Sequence, residues 1–153
     1  MTAKMVFASA TNVILTDSGI GSGAVVGGQT ILDNSSNLYP FAVATLRILG
    51  TFASAPTDLS TVDLYMRRHY LVDGTINDSA NPTGTDPESL EFVGSFIIYN
   101  DDEEQTKSIT ISLHGVQKAY FFILNNTGVA ISGAGSPYGA TRVDVQPFSY
   151  QDA

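Results

Sequence analysis

A chain of 153 residues fits one domain and can bury roughly 70% of the surface its unfolded form exposes, so it needs no covalent staple. It has no Cys, which excludes disulfide frameworks, thiolate zinc sites and cysteine nucleophiles. A formal net charge of -8, with only 7 Lys and Arg, disfavours binding to nucleic-acid phosphates or to anionic membranes.

Residues 1–37 read as an extended N-terminal arm outside the core. They hold one short apolar piece, Val13-Ile14-Leu15, and a glycine-rich run from Gly19 to Gly28. Glycine is entropically costly to order, so such an arm is either flexible or ordered by packing on a partner or neighbouring subunit. No apolar run approaches the roughly 20 residues of a membrane helix. The run Met5-Val6-Phe7-Ala8 is also too short for the apolar region of a signal peptide, about 7–15 residues.

Residues 38–153 read as the folded domain. Between 41 and 52 the chain alternates, with Ala42, Ala44, Leu46, Ile48 and Phe52 set against Val43, Thr45, Arg47 and Thr51. From 60 to 70 it alternates again. Val62, Leu64, Met66 and Tyr70 face one way, and Asp63, Tyr65, Arg67 and His69 the other. This period of two marks a half-buried β-strand. A long polar loop, 73–89, leads to a further strand over 90–99.

After an acidic turn at 100–105, Ile109, Ile111 and Leu113 alternate with Ser108, Thr110 and Ser112. Residues 118–125 are nearly continuous apolar, the pattern of a central strand covered on both faces. A short strand over 129–132, a Gly/Ser/Pro loop and a last alternating strand with Val143 and Val145 inward complete the chain. The pattern predicts an all-β fold: a single jelly-roll-like β-sandwich of about eight antiparallel strands.

No motif assembles into a reaction centre. Gly19-Ile20-Gly21-Ser22-Gly23-Ala24 fits the dinucleotide fingerprint, but Val25-Val26-Gly27-Gly28 follows where that site requires a helix. His69 and His114 are the two histidines, and no G-x-S-x-G elbow accompanies them. Three acidic sets offer oxygen ligands for calcium: Asp73 with Asn77 and Asp78, Asp86 with Glu88 and Glu91, and Asp101-Asp102-Glu103-Glu104. None has EF-hand spacing, and solvated turn acids are the simpler account. Asn34, Asn77 and Asn125 each begin a glycosylation sequon, as chance allows in a chain rich in Asn, Ser and Thr. Tyr65, Tyr70, Tyr99 and Tyr120 fall in or at the ends of strands, where they suit a core, a subunit interface or a sugar-stacking platform. No catalytic, cofactor-binding or metal-ligating residue is assigned, and no enzymatic activity is expected.

Several segments together resemble small structural proteins of tailed-bacteriophage virions. They are Val62-Asp63-Leu64-Tyr65, Asp73-Gly74-Thr75-Ile76-Asn77-Asp78, Val93-Gly94-Ser95-Phe96, Phe122-Ile123-Leu124-Asn125-Asn126-Thr127-Gly128 and Val143-Asp144-Val145-Gln146-Pro147-Phe148. The resemblance spans 59–150 and leaves 1–37 uncovered. Asp101 to Glu104 and Arg67-Arg68-His69 depart from it. It implies a capsid decoration or cement protein on the capsid surface, made in the host cytoplasm without a signal peptide. Its partners would be the major capsid protein and further copies of itself, as a homo-oligomer such as a trimer. The N-terminal arm would then pair with a neighbouring chain. The alternative is a glycan- or receptor-binding module of a phage tail or fibre, which predicts an exposed aromatic and carboxylate cluster at one end of the sandwich.

Overall fold

The computed structural model describes residues 3–28, 30–69, 71–72, 75–76, 90–133 and 141–152, and among them there is no helix. The strands are β1 (Ala3–Phe7), β2 (Thr11–Thr16), β3 (Val25–Gly27), β4 (Leu32–Asp33), β5 (Phe41–Ile48), β6 (Ser60–His69), β7 (Leu71–Val72), β8 (Thr75–Ile76), β9 (Glu91–Ile98), β10 (Gln105–Ser112), β11 (Lys118–Asn126) and β12 (Thr141–Asp152). Ten of them form two five-stranded antiparallel sheets. One runs β1-β12-β5-β10 with β2 also on β12, and the other β3-β11-β6-β9 with β4 also on β11. Among the described residues, strands β7 and β8 pair with each other and with no further strand.

The two sheets share one core, as alternation requires of a sandwich-like fold. The first contributes Ala42, Ala44, Leu46, Ile48, Ile111, Val143 and Val145; the second contributes Val62, Leu64, Met66, Phe96, Ile98, Phe121 and Ile123. The alternation read along 41–52, 60–66 and 141–146 sorts these residues correctly. Strand β11 is more covered than strict alternation gives. Phe122, on its outward side, is buried because its ring lies across Gly27 of β3, where an added Cβ would come within 2.7 Å of it.

The expectation that 1–37 stands apart as an arm is corrected. This segment supplies four strands, β1 to β4, and Val13, Ile14, Ile20 and Leu32 belong to the core. Strands β1 and β2 lie end to end along β12, covering 148–152 and 141–145 respectively. Pro147 sits at the seam between them, where its carbonyl accepts the Ala8 N–H at 2.8 Å. A proline inside a strand is tolerated where no ladder partner needs its missing N–H.

The glycine-rich run is ordered by its own chain. Buried Asn125 donates its amide to the carbonyls of Ile20 (3.0 Å), Gly21 (3.2 Å) and Val129 (2.9 Å), while its Oδ1 accepts from the Thr127 hydroxyl (2.7 Å) and N–H (3.2 Å). The backbone adds Gly23 N–H to the Asn125 carbonyl and Asn125 N–H to the Ala24 carbonyl. Gly28 is required by closeness: an added Cβ would lie 1.7 Å from the Val13 carbonyl oxygen. Gly28 lets the chain after β3 pass against Val13 of β2, and Gly27 makes room for the Phe122 ring.

Candidate interaction surfaces

Strand alternation places two groups of side chains outward, one on each sheet. On the first sheet, Phe148 pairs with Phe7 of β1 and Phe41 of β5 in register, so the three share one face. Ring centroids lie 5.4 Å (Phe7–Phe148), 5.7 Å (Phe41–Phe148) and 5.7 Å (Phe148–Tyr150) apart. Phe148 is only 2% exposed although it stands on the solvent side, because these rings roof it over. Phe7, Phe41, Tyr150 and the adjacent Met5 are themselves exposed. Aromatic and Met side chains without intervening charge are the composition of an interface centre. Sequence reading missed this group. Its signal was the outward phase of Phe148 and Tyr150, two and four residues beyond Gln146.

On the second sheet, Tyr65 of β6 is opposite Phe122 of β11 and Phe92 of β9. The Tyr65 and Phe92 rings meet edge to face at 5.6 Å. One step along β6, Asp63 accepts the Ser95 hydroxyl at 2.6 Å and a long contact from the Asn126 amide at 3.5 Å. A bulge on β9 between the residues facing Leu64 and Tyr65 brings Phe92 into line with Tyr65.

Ion pairs close the ends and edges of the sheets. Arg68 grips Glu91 with two hydrogen bonds, Nε to Oε2 at 2.7 Å and Nη2 to Oε1 at 2.6 Å, and donates to the His114 carbonyl at 3.1 Å. The Arg68 hydrogen bonds lower the Glu91 pKa despite partial burial. Arg142 is held the same way by Asp144, which raises the guanidinium pKa. Lys107 stands 3.3 Å above the Tyr99 ring, and desolvation there lowers its ammonium pKa. Ser35, through its hydroxyl at 2.6 Å and its N–H at 3.0 Å, and then Lys118 at 3.1 Å, hold the Asp33 carboxyl down at about 2.

The residues singled out from sequence are scattered. The Gly19–Ala24 fingerprint leads into β3 and not into a helix. His114 lies in an exposed turn, and His69 ends β6 with its side chain outside the described residues. Asp73, Asn77, Asp78, Asp86, Glu88 and Tyr70 also lie outside them, whereas Glu91 is committed to Arg68. In the acidic turn, Asp101 accepts the Glu103 N–H at 3.0 Å. Among the described residues no three His, Asp or Glu side chains gather around a metal-sized space, and no helix is long and apolar enough to cross a membrane. Two sequons are closed to a glycan by burial: Asn125 as described, and Asn34, whose amide donates to the carbonyls of Tyr39 (2.9 Å) and Val116 (3.0 Å). Asn77 is outside the described residues.

The class defined by these features is an antiparallel, sandwich-like all-β protein with an outward aromatic group on each sheet. No protein-family model matches the chain, and no curated protein matches its sequence.

Proposed function

We propose that this chain is a structural virion protein, a jelly roll of the capsid cement or decoration type that bridges capsomers as a homo-oligomer. The observation that carries the reading is the strand order. Setting β1 with β2 as the first strand, β3 with β4 as the second, and omitting the β7–β8 hairpin leaves eight. The first sheet then runs first-eighth-third-sixth and the second second-seventh-fourth-fifth. That order supports a reading as two interlocked Greek keys, the double-sheet arrangement used by viral capsid domains and lectins. Fold alone does not assign function. The segments that resemble tailed-phage virion proteins add the virion context.

The mechanism is adhesive. Since 1–37 folds into its own sandwich, the contact falls to the Met5, Phe7, Phe41 and Tyr150 patch. Clustered aromatic anchors in a water-excluding centre carry most of the energy of an interface. Each copy bound at a junction stabilises the assembled shell by mass action.

The test is rebinding. Purified protein added to particles stripped of it is expected to restore their resistance to heat, and a Tyr150→Ser variant that still folds is expected to fail. Particles of equal resistance with and without the protein contradict the cement role.

A further inference from the structure

The outward face of β6 points to a second function that does not depend on the virion reading: we infer that it binds a saccharide of one or two rings. Along this face Asp63, Tyr65 and Arg67 succeed one another at alternate positions, which spaces their Cα atoms roughly 7 Å apart. An acceptor, a ring and a cationic donor therefore stand in a row about as long as a disaccharide.

The Asp63 end of this row, with the Tyr65–Phe92 ring pair beside it, is suited to a polyol. Asp63 is 9% exposed yet has no cationic partner among the described residues; its short hydrogen bond is the Ser95 hydroxyl at 2.6 Å. A carboxylate offers about four acceptor positions, so the Ser95 contact and the long Asn126 contact leave capacity for sugar hydroxyls. Ser95 and the Asn126 amide stand beside it as further hydrogen-bonding groups. Next to this polar group, Phe92 is 58% exposed and meets the Tyr65 ring edge to face. A ring held rigid by a neighbour can take the C–H face of a pyranose with little further loss of freedom. Phosphate-rich ligands are disfavoured by Asp63 itself and by the net charge of -8. The site lies on a sheet face, not at an end of the sandwich.

The test uses the purified full chain on an array of defined mono- and disaccharides, with titration of the best hit. Phe92→Ala and Asp63→Asn are expected each to weaken that binding by about tenfold or more, with Phe92→Ala still melting cooperatively and only a few degrees lower, as the loss of one edge-to-face pair allows. No array binding by the native chain overturns the inference. So does binding that survives Phe92→Ala, binding that needs added calcium, or binding of basic peptides in place of sugars.

Discussion

The side-chain amide of Asn125 donates to the carbonyl of Ile20, 105 residues away in the chain, at 3.0 Å. This bond, with its neighbours to Gly21 and Val129, fastens the glycine-rich run to the centre of the second sheet. Replacing Asn125 by Ala removes five hydrogen bonds at once and leaves the Ile20 and Gly21 carbonyls with only the Ile131 and Ala24 N–H groups, and the Val129 carbonyl with only the Thr127 hydroxyl. The expected loss is about 2–4 kcal/mol, as for a buried polar network losing its hub. Urea unfolding measures it; a loss below about 0.5 kcal/mol would show that the clamp is dispensable.

Two nearby glycines separate close approach from open space. Gly28→Ala drives a Cβ into the Val13 carbonyl and is expected to cost about 3 kcal/mol or more. Gly21→Ala meets nothing nearer than the Ala24 Cβ at 3.9 Å, so its effect is expected within about 0.5 kcal/mol. Thermal melts of the pair compare them directly.

Deleting residues 1–37 is expected to unfold the protein, not to release an independent sandwich. The deletion removes Val13, Ile14, Ile20 and Leu32 from the core and strips β12 of its partners β1 and β2. Large core side chains are worth about 2–5 kcal/mol each, so four exceed the margin of most domains. Circular dichroism of the truncated chain decides the matter. A cooperative melt near that of the full chain would mean the segment is an arm after all.

Asp33 gives the stability a pH signature. Its folded pKa, about 2, lies below the ordinary 3.8 through the Ser35 hydroxyl, the Ser35 N–H and Lys118. Its contribution is therefore fully present above 3.8 and is lost as pH falls through about 2. Because the group is exposed, solvent screening holds the effect to roughly 1 kcal/mol or less. Asp33→Asn should flatten that part of the stability profile between pH 5 and pH 2, and an unchanged profile would argue that Ser35 and Lys118 are not engaged in solution.

Alternation made the long strands legible because the inward residues at their centres, such as Ala42 to Ile48 and Val62 to Met66, are apolar, with polar ones such as Thr141 and Gln105 only at strand ends. Residues 1–37 were misread because their order comes from outside the segment. Val13 and Ile14 look isolated until β11 and β12 arrive, and the glycines look flexible until Asn125 reaches them. Short strands like β3 and β4 carry too few residues to show a period. The aromatic patch was hidden for a related reason: Phe7, Phe41 and Phe148 are far apart in sequence and meet only through the pairing of β1, β12 and β5. In contrast, Asp63 and Tyr65 stood out as alternate outward residues, although only the β9 bulge aligns Phe92 with them.

The central claim is the adhesive role on a virion. It is tested most directly by the copy number and position of this chain in a cryo-electron microscopy map of the particle that carries it. The account predicts copies at every equivalent capsomer junction, with the Met5, Phe7, Phe41 and Tyr150 patch buried in the contact. A few copies per particle, or a patch facing solvent, would contradict it.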